Sequence, residues 1–181
     1  ASSPLLSGDT KQMELSSDGS KTVTKTDKDE DYHHNLVTSQ VMESGKHHIS
    51  FKVMEEQANY DAADFGVVRD GAAWYQWHGE AESTDGWFIG TDGSLNGNGK
   101  GCSDEAGTIG VGQIVSLELD ADAGTLKFWV DGKPHGPGWS SGVKGRLRWA
   151  ANLFTVGSAV QIVPTPQLQE WKEWDGTRKD A

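Results

Sequence analysis

From Val115 to Val130 apolar and polar positions alternate in two runs separated by one short polar stretch. Val115, Leu117 and Leu119 alternate with Ser116 and Glu118, and Leu126, Phe128 and Val130 alternate with Thr125, Lys127 and Trp129. Successive side chains of a strand point to opposite faces, so a period of two marks a strand with one buried face. The stretch between the runs, Asp120-Ala121-Asp122-Ala123-Gly124, is built from residues that tolerate tight backbone angles. The segment therefore predicts a β-hairpin, followed at once by a second turn at Asp131-Gly132. Trp129 is out of phase with the apolar set and is expected to face outward, onto the outer side of a sheet or into a groove on it.

The same reading extends along the chain. Residues 12–15 and 21–25 predict two short strands joined by a turn at 16–19, and 27–31 is an acidic run read as a solvated loop. Ile49, Phe51 and Val53 face one way while His48, Ser50, Lys52 and Met54 face the other. Residues 64–69 predict a strand ending at the turn Asp70-Gly71, and 87–90 predict another that buries Trp87. Residues 146–153 and 159–163 supply the last pair of strands, before Pro164 and Pro166 end the sheet. Few helical runs and about ten or more strands predict an all-β fold, with two antiparallel sheets packed as a sandwich. Residues 1–10 read as a loose arm, 11–166 as the sandwich, and 167–181 as a tail. Trp171 and Trp174 in that tail suggest a short helix or strap packed on the domain, with packing on a partner as the alternative.

Composition narrows the class of function. A chain of 181 residues buries roughly 70% of its unfolded surface, enough to need no staple. The 23 glycines suit an all-β fold rich in turns, and eight tryptophans offer large rigid contact surfaces. A formal net charge of −11 argues against nucleic acid and anionic membranes as partners. No apolar run approaches membrane-span length. Cys102 is the one cysteine, which fits a reducing compartment. The expectation is cytoplasmic, with a processed organellar form as the alternative because the first residue is Ala.

Motifs for chemistry fail one by one. The Gly-rich stretch 93–102 invites a phosphate loop, but Ser94 and Gly101 stand where a P-loop needs Gly and a hydroxyl residue. It reads as a long hairpin loop. Asp120, Asp122 and Gly124 imitate half a calcium loop, but no closing glutamate follows, so they read as a turn whose aspartates accept amide hydrogen bonds. The adjacent pairs His33-His34 and His47-His48 cannot each converge on one metal from a strand. No residue next to Cys102 makes it a nucleophile. Neither catalytic residues, metal ligands nor a cofactor are expected.

Four pieces of the chain together resemble the SPRY domain family. They are Ser44-Gly45 ahead of Phe51 and Val53; Phe65-Gly66-Val67-Val68-Arg69; Asp85-Gly86-Trp87-Phe88-Ile89-Gly90; and Val111-Gly112 followed by Asp120, Asp122, Gly124, Leu126, Phe128, Val130 and Gly132. Their order and spacing hold from about residue 13 to residue 163. The resemblance implies a bent, concanavalin A-like sandwich of two antiparallel sheets. It also implies a non-catalytic module that binds a peptide or protein surface through loops at one edge, within a larger complex. Where peptide-gripping members carry a basic residue after an early strand, residues 57–64 here are acidic and lack arginine; where they carry Trp-Gly near the last strands, this chain has Val156-Gly157. The expected partner-binding residues are Arg69, Asp70, Trp74, Tyr75, Trp77, Leu95, Asn96, Phe154, Thr155 and Val156. Two competing readings use the same features. One is a carbohydrate-binding concanavalin-like domain that stacks sugars on those aromatics. The other is a structural subunit that makes contacts through its arm and tail.

Overall fold

The computed structural model describes residues 5–6, 13–15, 22–25, 34–55, 63–73, 78–79, 82–104, 106–154 and 156–176. These hold β1 (Leu5–Leu6), β2 (Met13–Leu15), β3 (Thr22–Lys25), β4 (His34–Thr38), β5 (Lys46–Glu55), β6 (Ala63–Arg69), β7 (Gly86–Gly90), β8 (Ser94–Gly97), β9 (Lys100–Asp104), β10 (Ile114–Asp120), β11 (Thr125–Val130), β12 (Lys133–Pro134), β13 (Leu147–Leu153) and β14 (Ala159–Val163). No helix occurs among the described residues, so none there could cross a membrane. One seven-stranded sheet runs β1-β4-β13-β6-β7-β8-β9, and the other runs β12-β11-β10-β5-β14-β3-β2.

The hairpin expected from the alternation is β10–β11, with Leu117 opposite Phe128 and Leu119 opposite Leu126. Its turn is held by the Asp120 carboxylate, which accepts the Asp122 and Ala123 amides at 3.1 and 2.9 Å. Inward residues of both sheets then merge into one core. Phe51 of β5 stacks on Phe65 of β6 across the gap, ring centroids 5.1 Å apart. Trp87, Trp149, Leu117, Leu126 and Phe128 are buried around them. Trp139, in the connection between β12 and β13, packs edge-on against Phe128 at 6.1 Å and belongs to the same core.

Three expectations differ from the structure. Strands β13 and β14 are not partners: β13 lies between β4 and β6, β14 between β3 and β5, so residues 154–158 cross from one sheet to the other. Alternation reports which face of a strand is buried, not which strand lies beside it. The stretch read as a long loop contains the β8–β9 hairpin, closed by Asn98-Gly99 with φ of 43° and 91°. An Asn-Gly turn with two positive φ values favours such a hairpin even where apolar alternation is missing. Finally, the arm is tied down at Leu5 and Leu6, which pair with Thr38 and Val37 at the edge of the first sheet.

The outer face of the first sheet is not bare either. Val68, Phe88 and Ala150 form a second buried apolar cluster there, with Val37 and Ala72 against it. Beside it runs a buried polar row in which Asn152 donates to Asn35 at 3.2 Å, and Asn96 donates to Asp64 at 3.2 Å and Ser94 at 3.1 Å.

Candidate partner-binding end of the sandwich

β6 runs out at Arg69, and the chain turns at Asp70-Gly71 with Gly71 at φ 87°. The Asp70 amide donates to the Arg146 carbonyl at 2.8 Å, and the Arg69 amide to the Asp85 carbonyl at 2.9 Å. These bonds fasten the end of β6 to the approach to β13 and to the residues before β7. Arg69 is held along its whole length. Its Nε donates to the Thr84 carbonyl at 2.8 Å, a terminal nitrogen donates to the Lys144 carbonyl at 3.0 Å, and the guanidinium lies 5.1 Å from the Trp87 ring centroid. Asp85 stands 3.8 Å away.

Asp70 sits between two arginines, Arg146 just before β13 and Arg148 as its second residue. Arg148 Nε donates to its carboxylate at 2.7 Å, and the same guanidinium donates to the Thr38 and Ser39 carbonyls at 3.0 and 2.8 Å. Arg146 reaches Asp70 at 3.4 Å and also pairs with Glu43. The hydrogen bond from Arg148 is the main reason the Asp70 carboxyl lies below its ordinary 3.8; partial desolvation opposes it, and the charges of Arg148 and Arg146 add to it. The charge of Glu43 in turn raises Arg146. Arg146 and Glu43 remain 62% and 52% exposed, so this end presents charge to solvent beside the anchored Arg69 and Arg148.

The described ones among the expected site residues fall into four places. Arg69 and Asp70 form the charged end just described. Leu95 is buried in the inter-sheet core, and Asn96 is buried in the polar row on the outer face of the first sheet. Phe154 and Val156 lie half-buried at the far end of β13, whose seven residues span about 20 Å. There the wholly buried Lys25 donates to the Phe154 carbonyl, and its ammonium lies 5.7 Å from the Phe154 ring. The Gly157 amide donates to the Lys25 carbonyl at 2.9 Å, which pins the crossover. Trp74, Tyr75, Trp77 and Thr155 lie outside the described residues. Among the described residues no three of His, Cys, Asp and Glu converge to hold a metal.

Sequence reasoning did not single out Arg146, Arg148 or Glu43. The Arg-x-Arg spacing on a predicted strand did place two cations on one face. Their partners Asp70 and Glu43 are distant in sequence, and only the fold brings them near.

No protein-family model matches the chain, and no curated protein sequence matches it. Solved structures do. The SPRY domain of human HERC1 superposes with a TM-score of 0.66 at 18% identity, covering 85% of this chain and 95% of that domain. A human SPRY domain gives 0.64 at 15% identity, over 83% and 94%. The TRIM65 PSpry domain gives 0.63 at 12% identity, over 85% and 86%. The chain has the SPRY fold, a concanavalin-like sandwich of two antiparallel sheets.

Proposed function

We propose that the chain is a non-catalytic interaction module that grips a peptide or protein surface with the loops at the Arg69–Asp70 end of the sandwich. The observation that carries this reading is the immobilised charge constellation there. Arg69 is fixed by two carbonyls and an indole, and Asp70 is kept ionised between Arg148 and Arg146. Arg146 and Glu43 are left to meet a partner. Charges held in place beforehand lose little freedom on binding, so they favour orientation and specificity. Trp74, Tyr75 and Trp77 follow Asp70 closely in the chain, and in this reading they are the aromatic anchors of the contact. The partner is a protein, within a larger complex.

Phe154, Thr155 and Val156 belong to the same proposal only if the partner is long enough to reach both ends of β13. Affinity capture from native extract identifies the partner, and alanine variants then map the contact. Arg69→Ala and Trp77→Ala should each weaken it by about 1–4 kcal/mol without unfolding the domain. Phe154→Ala should do so only for a partner spanning the sheet. Unchanged affinity in both Arg69→Ala and Trp77→Ala removes this site. A glycan array tests the sugar-binding alternative directly.

A further inference from the structure

After β14 the chain crosses the outer face of the second sheet as a strap, residues 164–176, with no regular secondary structure. Beneath it lies Trp129, which faces away from the core yet is only 3% exposed. The strap meets this face at defined points. The Ser50 hydroxyl, 2.7 Å from that of Ser116, donates to the Thr165 hydroxyl at 2.9 Å. The Gln169 amide donates to the Gly132 carbonyl at 2.8 Å, and the Gln169 carbonyl accepts the Trp129 indole N–H at 2.9 Å. Trp171 packs edge-on against Trp129 at 5.2 Å, with the Lys127 ammonium 5.8 Å from its ring.

Main-chain bonds at one residue and an aromatic anchor two residues on are the means by which receptors hold extended peptides. Gly132 suits such a groove: its φ is 80°, and a Cβ there would lie 2.6 Å from the Gln167 carbonyl oxygen. The strap carries Glu170, Glu173 and Asp175 with Lys172. The outer face of the sheet carries Lys46, Lys52 and Lys127 with Glu118 and Asp120, Glu118 being engaged by His48 at 2.7 Å. Of these cations Lys127 lies against the strap, its ammonium facing the Trp171 ring. Every strap side chain is exposed or half-buried, so lifting the strap breaks local contacts and leaves the core intact.

We propose that the outer face of the second sheet is a second binding groove, built for an extended, acidic, tryptophan-bearing segment of a partner protein and occupied in cis by the strap, which acts as a built-in competitor. The probe is a dye-labelled peptide with the sequence of residues 164–176, titrated onto the 181-residue chain and followed by fluorescence anisotropy. Trp171→Ala in the full chain weakens the competitor, so it should take up the peptide about tenfold or more tightly than the unaltered chain. A peptide with alanine in place of its first tryptophan should not bind. A folded Trp171→Ala chain that takes up the peptide no better than the unaltered one overturns the proposal. Hydrogen exchange on the unaltered chain tests it independently of that variant's folding. The Gln169 amide should exchange well before the ladder amides of β10 and β11, and faster still with excess peptide. Exchange of Gln169 only on global unfolding overturns the proposal.

Discussion

Asp70 controls the charged end. Its carboxyl titrates below 3.8 because Arg148 hydrogen-bonds its ionised form. A carboxylate whose folded value is depressed stabilises the fold above its unfolded value, and that contribution is lost as pH falls through the folded value. Asp70→Asn should therefore be less stable than the unaltered chain at neutral pH, with the difference closing below pH 4 or so. Urea midpoints measured from pH 7 to pH 3 check this; a difference that stays constant with pH would remove the ionic explanation. The sequence shows Asp70 as a turn residue and a candidate partner contact, with no sign of the arginines that hold it. Its role as an anchor arises from Arg146 and Arg148, more than 70 residues away.

The strands differ in how legible they were. β10 and β11 announce themselves because each buries one face, and because Asp120 and Gly124 satisfy the turn between them. β8 and β9 do not, since glycine and asparagine replace the apolar residues that would show a period. A close approach is equally invisible in the sequence. Gly66 lies in β6 at an ordinary φ, yet a Cβ there would sit 1.8 Å from the Trp87 carbonyl oxygen of β7. Gly66→Ala should cost about 3 kcal/mol, the upper end of overpacking penalties, because a neighbouring backbone must move. Thermal unfolding would show it, and a neutral result would mean that β6 and β7 can separate there. Leu95 and Asn96 belong to the same lesson. The glycine-rich stretch around them reads as an exposed loop, whereas hairpin formation turns Leu95 into the core and Asn96 onto the buried outer row.

At the scale of the molecule, one core cluster takes residues from both sheets. The sheets should therefore unfold together, with tryptophan fluorescence and far-ultraviolet circular dichroism tracing a single urea transition. Two separated transitions would mean that the sheets are independent units. The outer faces divide the remaining roles. One carries a buried polar row and ends in the Arg69–Asp70 rim, and the other carries the strap. By itself the sequence determined the all-β class, the inward faces of the central strands and the principal turns. These follow from side-chain alternation and backbone preference, which act over a few residues. Only the tertiary structure decided that β13 and β14 part into different sheets, that Arg69 and Phe154 stand at opposite ends, and that Trp129 is covered by the chain's own tail. Strand order and coverage depend on pairing and packing between distant segments, and no local pattern encodes which distant segment arrives.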